Sequence, residues 1–332
     1  MQAVVFTSEA RVALADRPEP VAGDGEVLIK VGAVGICGTD LHAPVKPEMF
    51  TPGVVLGHEF AGTVARPAAG PLSDGQPVVV NPIALSCGRC QACRRGFTNQ
   101  CLTALAGCSG VARDGGMAQF AVADQRSVHE IPENVALREA AWTEPLAVAL
   151  RALGLGGVRA ASTVAVLGAG AIGQLILQLA LNAGAGETVV IEPSRLRRDV
   201  AVACGAAQAV SPAEVPRLDR AYDVVFDCTG AADAFAISLA LVAPGGRVVV
   251  LGSYPSPISL GHVPAEASVV FSSVYRDDQE FAAALRLLAR GLIDTRPLTT
   301  AIMPLPEYEK AFASLLDPEQ AVKVFLDPVG QS

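Results

Sequence analysis

The apolar run Val164-Ala165-Val166-Leu167 opens directly into Gly168-Ala169-Gly170-Ala171-Ile172-Gly173, three glycines in a G-x-G-x-x-G spacing. The run reads as a buried strand, and the spacing predicts a tight turn into a helix over Ile172 to Ala183. Gly168 permits the turn, Gly170 lets backbone approach a pyrophosphate, and Gly173 lets helix and strand pack closely. Amides left free at the helix start face phosphate charge, so Ala171 and Ile172 join the glycines as candidate cofactor contacts.

A second apolar run, Val189-Val190-Ile191, ends in Glu192, nineteen residues beyond Gly173. A carboxylate there can accept hydrogen bonds from both ribose hydroxyls of an NAD adenosine. Without this strand and acid, the glycines would mark only an ordinary turn. Arg195, Arg197 and Arg198 follow and could hold a 2'-phosphate, but Glu192 sets a like charge against it, which favours NAD over NADP.

The alternation continues. Arg197 to Cys204, Asp233 to Leu241 and Glu280 to Arg290 read as helices, the last stopped by Gly291. Ala221 to Asp227 and Ser268 to Ser273 read as strands, and Gly245 to Gly252 as turn, strand and turn. Such alternation predicts a doubly wound parallel sheet. Cys228, Thr229 and Gly252 fall at strand ends, where a nucleotide would lie, with Cys228 itself a packed free thiol.

Before residue 137 the pattern is different. Short strands are expected at Gln2 to Phe6, Val27 to Val34, Gly62 to Val64, Gln76 to Val80 and Ala118 to Val122, with Gly and Pro between them. No helix of ordinary length interrupts them, which points to a barrel or sandwich. Glu139 to Leu153 reads as a helical link. With 332 residues, 51% of them hydrophobic, the chain can fill two such cores. Its net charge of −8 offers no general attraction to nucleic acid or anionic lipid. No run reaches the ~20 apolar residues of a membrane span, and no secretory leader is evident, so a soluble cytoplasmic protein is expected.

Cysteine usage is uneven. Cys87-x-x-Cys90-x-x-Cys93-x7-Cys101 gathers four thiols that could wrap one tetrahedral Zn and stabilise a small lobe. An Fe-S cluster is the chemical competitor, and a redox Cys-x-x-Cys would leave two cysteines unexplained. Upstream, Cys37 is followed after twenty residues by Gly57-His58-Glu59. Thiolate, imidazole and carboxylate suit a Zn site with an open position, although each alone is equally at home in a core or turn.

Taken in order, Cys37-Gly38-Thr39-Asp40-x-His42, Gly57-His58-Glu59-x-x-Gly62, the four-cysteine lobe, Glu144-Pro145-Leu146 and the glycine turn resemble the zinc-containing medium-chain alcohol and polyol dehydrogenases, in their sorbitol and threonine dehydrogenase branch. The resemblance covers nearly the whole chain. It implies a GroES-like catalytic domain over 1–145, a Rossmann domain over 146–292 and a return to the first domain over 293–332. It further implies one catalytic Zn on Cys37, His58 and Glu59, with Glu144 as a mobile carboxylate that reaches the metal directly or through water. One structural Zn would sit on Cys87, Cys90, Cys93 and Cys101. Asp40 would orient the His58 ring, and Thr39 and His42 would carry the alcohol proton to solvent. The implied reaction is hydride transfer between a small polar secondary alcohol or its ketone and NAD, in a homotetramer or homodimer. An L-threonine 3-dehydrogenase-like activity and a non-catalytic nucleotide-binding module are the alternatives. Two positions depart from the pattern: Gln76 replaces a common aspartate, and Arg151 a common histidine near the cofactor entrance.

Overall fold

The computed structural model describes residues 1–83, 85–218, 221–254 and 257–330. Positions 255 and 256, within the stretch from Ser253 to Asp278 that the sequence left irregular, lie outside the described residues.

Strands β1 (Gln2–Phe6) and β2 (Val12–Asp16) pair antiparallel. The longest strand, β3 (Glu26–Gly35), is the axis of the larger sheet, with β4 (Glu59–Arg66), β5 (Pro77–Val80), β6 (Phe120–Asp124) and β7 (Val128–Glu130). β3 pairs antiparallel with both β4 and β6, and β5 bridges β4 to β7. Helices in this region are single turns, as the sequence anticipates. The strands β2 and β7 were not anticipated, because three to five half-buried residues show too few alternations to reveal a period.

The second sheet contains β8 (Thr163–Leu167), β9 (Glu187–Ile191), β10 (Gln208–Val210), β11 (Tyr222–Asp227), β12 (Val242–Val250) and β13 (Ser268–Phe271). All its pairings are parallel, in the order β10-β9-β8-β11-β12-β13. The order reverses between β8 and β11, the crevice in which doubly wound sheets bind dinucleotides. Gly245 and Gly246, read as a turn, lie inside β12, and a Cβ on Gly246 would come within 2.9 Å of the Asp223 carbonyl oxygen. Glycine there serves close strand approach.

The chain then returns. β14 (Thr299–Pro304) and β15 (Lys323–Asp327) are parallel to each other, and β15 joins β3 antiparallel in the larger sheet. The last helix begins at Tyr308, after a 3-10 turn containing Pro306.

The expected continuous link over 139–153 is two helices, Leu137–Ala140 and Thr143–Gly156. Pro145 has no N-H for the carbonyl of Ala141, so the helix restarts with proline in its first turn, where no donor is needed. The break turns Trp142 inward. An apolar cluster containing Trp142, Leu146, Phe226, Phe281 and Phe325 then runs continuously from one sheet to the other.

Candidate functional site

Cys37 follows β3 and precedes the single-turn helix Gly38–Leu41. The buried Asp40 carboxylate accepts from the Cys37 amide (2.9 Å) and from the Gly57 amide (3.3 Å), tying the turn after β3 to the turn before β4. Gly57 has φ +89°, and a Cβ there would lie 2.6 Å from Met117 Cγ. Only glycine makes this turn without strain, and it delivers His58 and Glu59 beside Cys37. One donor atom from each of Cys37, His58 and Glu59 lies within 4.8 Å of the others.

The expected ring-orienting contact of Asp40 stands slightly open in this arrangement. His58 Nδ1 stands 3.8 Å from Asp40 Oδ1 and, buried, has no hydrogen-bond partner. Asp40 instead spends both oxygens on the two ligand-bearing turns. The orphaned nitrogen nevertheless fits a metal site. A small shift of the ring would close the Asp40 bond, fix the tautomer and leave the other nitrogen for an ion. Burial pulls the His58 pKa down, but Asp40 and Cys37 push it up and prevail. Burial also raises Asp40, against the pull of His58.

Glu59 is buried against a residue the sequence reading overlooked. Lys323, at the start of β15, donates to Glu59 Oε2 and to the Ile36 carbonyl (2.8 Å), and both charged side chains are almost wholly enclosed. The available signal was a single lysine inside the apolar run Ala321 to Leu326, which reads in the sequence as a closing strand. Across β3 and β4, Gly35 leaves the space that Glu59 occupies, since a Cβ there would sit 2.2 Å from Oε2. Removing one member of a buried pair strands the other charge, at about 3–5 kcal/mol. Lys323→Met should therefore lower the urea midpoint of metal-free protein by that equivalent, and added Zn should recover part of the loss. Unchanged metal-free stability would show that the pair is not a buried charge couple.

Thr39 Oγ1 lies 3.7 Å from Cys37 Sγ, and His42 is exposed at the end of the same turn. Glu144 is buried in the first turn of Thr143–Gly156, and burial pushes its pKa up to about 7 against the opposing pull of His58. Its carboxylate is not among the three grouped donors. Arg151 is held by Glu280 at 3.4 Å.

The second group is Cys87, Cys90, Cys93 and Cys101, whose sulfurs all lie within 4.8 Å of one another. Cys90 and Cys93 are 3.4 Å apart, and Cys87 and Cys93 4.0 Å. Four thiolates around one Zn at about 2.3 Å stand about 3.8 Å from each other, so the cage fits a single ion and is too tight for an iron-sulfur cluster. The lobe docks on the nucleotide-binding half through Asn99 Nδ2, which donates to the Ser273 carbonyl (2.9 Å), and through Thr98 Oγ1 to that of Arg276.

At the switch point, Gly168 has φ +85°, and a Cβ on Gly173 would stand 1.9 Å from the Gly168 carbonyl oxygen. The helix Ala171–Asn182 therefore starts hard against β8, with no side chain capping it. Glu192 is buried and turned inward: its oxygens accept from the amides of Ala169 (2.7 Å) and Ser194 (2.9 Å). A carboxylate has about four acceptor positions, so bracing the glycine turn leaves capacity for a ribose. Thr229 is fixed by its own amide (2.9 Å) and hydroxyl (2.7 Å) to the buried Asp227, which also accepts from Tyr254. A Cβ on Gly252 would meet the Gly230 amide at 2.1 Å, so this strand end passes directly beside Thr229. Arg197 donates to the Ala321 carbonyl, with the carboxylates of Glu192, Glu319 and Asp317 in its electrostatic surroundings.

One cleft of about 210 Å³ joins the two halves: Cys37 and Glu59 line it from one side, Gly170 to Gly173 and Cys228 from the other, with Arg197 and Lys323 between them.

Residues 23–133 match the alcohol dehydrogenase GroES-like domain, and 171–290 the zinc-binding dehydrogenase domain. The sorbitol dehydrogenase of Bacillus subtilis is 30% identical over 99% of this chain and 97% of its own. The L-threonine 3-dehydrogenase of Pyrococcus furiosus is 33% identical over 90% of this chain and 89% of its own. A zinc-binding dehydrogenase structure from Sinorhizobium meliloti 1021, bound to NADP, superposes with a TM-score of 0.89 at 31% identity, over 98% of this chain and 99% of that one. The 2-dehydro-3-deoxy-L-galactonate 5-dehydrogenase of Pseudoalteromonas atlantica, 30% identical over 91% of this chain and 92% of its own, matches on the same footing, so the likeness does not single out the expected sorbitol and threonine dehydrogenase branch. With both donor sets and the nucleotide crevice in place, the chain belongs to the zinc-binding medium-chain dehydrogenase family, whose members are two-domain, NAD(P)-linked oxidoreductases.

Proposed function

We propose that this protein transfers a hydride between a secondary hydroxyl of a small polyol, cyclitol or amino alcohol and NAD. The supporting observation is the shared cleft: the Cys37 and Glu59 donors and the Gly170 to Gly173 turn line the same 210 Å³ space. Cys37, His58 and Glu59 would hold the catalytic Zn, which when bound polarises a hydroxyl and lowers its pKa, while NAD supplies the hydride acceptor.

The chain's own residues then do the following. Thr39, beside Cys37, takes the hydroxyl proton and passes one on, since threonine relays and is a poor base. His42, exposed one turn later, releases it to solvent. Glu144, next in sequence to the cleft residue Pro145, would be the mobile carboxylate that reaches the metal directly or through water. Glu192 accepts the ribose hydroxyls and sets its charge against a 2'-phosphate. A homotetramer or homodimer belongs to this reading through the family resemblance alone, and the L-threonine 3-dehydrogenase relatives carry the alternative activity on L-threonine.

The test is metal content on freshly purified protein, with NAD and NADP reduction followed across polyols, aminocyclitols and L-threonine. About two Zn per chain and turnover of a polyol with NAD support the reading. Turnover of L-threonine alone replaces the polyol reading with the L-threonine 3-dehydrogenase-like alternative, and a higher kcat/KM with NADP overturns the role of Glu192. About one Zn and no turnover leaves a nucleotide-binding module.

A further inference from the structure

The segment after Glu192 contains what a site for a ribose phosphate requires. Three arginines follow the carboxylate, and the helix Arg195–Ala203 starts there with its amides directed outward. In the structure these groups are engaged. Arg198 Nη1 donates to the carbonyls of Glu192 (2.7 Å) and Pro193 (2.6 Å). Arg197 donates through Nε and Nη2 to the Ala321 carbonyl (3.0 and 2.8 Å). Arg195 reaches Asp199 on its own helix at 3.7 Å.

The amides are engaged by a distant part of the chain. Glu319 accepts from the Arg195 amide through Oε1 (2.8 Å) and from the Leu196 amide through Oε2 (3.4 Å). Ser194, whose hydroxyl accepts from the Arg197 amide (3.2 Å), donates to the Pro318 carbonyl (2.7 Å). Residues 318–321 thus close over the helix start immediately beyond Glu192 and bring a second carboxylate there.

We infer that Glu319 is a cofactor-specificity residue: it occupies the helix start beside Glu192 with negative charge and thereby disfavours a 2'-phosphate on the adenosine ribose. This rests on the cofactor reading given above. A phosphate monoester carries about −1.5 to −2 charge at neutral pH. Placed next to Glu192, it would meet a second carboxylate and find both leading amides already bonded. The hydroxyls of NAD donate to Glu192 and meet no such opposition. Glu319 is exposed, so solvent and salt weaken its field and the discrimination is partial.

The test uses adenosine 2',5'-bisphosphate and adenosine 5'-phosphate, probes that need neither metal nor alcohol, titrated into the full chain and its variants by calorimetry. Glu319→Gln is expected to bind the bisphosphate about three- to tenfold more tightly at low salt, with the monophosphate unchanged and the gain shrinking as salt rises. Glu319→Asp, which keeps the charge, should retain discrimination. A change equal for both probes, or for neither, overturns the inference and leaves Glu319 as a cap that only pins the segment. Wild-type protein that binds neither the monophosphate nor NAD fails at the underlying cofactor reading, whatever the variants do.

Discussion

Replacing His58 by alanine should lower kcat/KM by about 10³-fold for any alcohol the protein turns over, and reduce bound Zn from about two to about one per chain. Lewis-acid stabilisation of a developing alkoxide is worth several kcal/mol, and each 1.36 kcal/mol is a factor of ten. Removing one of three donors leaves Cys37 and Glu59, and Glu59 is already engaged by Lys323. The remaining Zn should stay with the four-cysteine lobe, which shares no ligand with His58. Metal analysis therefore separates loss of the site from loss of the fold. Two Zn retained with full activity would remove His58 from the reaction.

Cys101→Ser should act on stability. Cys101 is buried among the lobe's sulfurs, and the Cys87 amide points at its Sγ (3.4 Å). Zn held by a closed thiolate cage contributes its binding free energy to folding, and apparent values run to about 10–16 kcal/mol in small zinc domains. Because this lobe also packs on the nucleotide-binding half through Thr98 and Asn99, only part of that free energy need appear in global unfolding. For a chain of this length, several kcal/mol would lower Tm by about 5 °C. Zn content should fall by about one, with the His58 site still loaded. A Tm within about 2 °C of the parent would mean the four cysteines do not form a structural metal site.

Local signals specified much of this architecture. The glycine turn, its strand and Glu192 fell within ~30 residues, so their purpose was legible before any tertiary contact. The cysteine cage, spanning fifteen residues, was legible for the same reason. Cys37 and His58 were less so, because each is an ordinary residue until β3 and β4 pair and the Asp40 carboxylate joins their two turns.

The sequence by itself determined the parallel alternation, the four-cysteine donor set and the acid that follows the second Rossmann strand, because each depends on spacing along the chain. Tertiary structure alone decided what depends on the return of the last strand. It placed Lys323 against Glu59, 264 residues away in sequence, Ala321 on Arg197, and Glu319 on the amides of a helix more than 120 residues earlier. It also gave Asp40 two backbone amides to hold beside the His58 ring. These are choices of partner for a buried or half-buried polar group. Such a group takes whichever complementary atom the completed fold brings within reach, and sequence distance carries no information about which one that is.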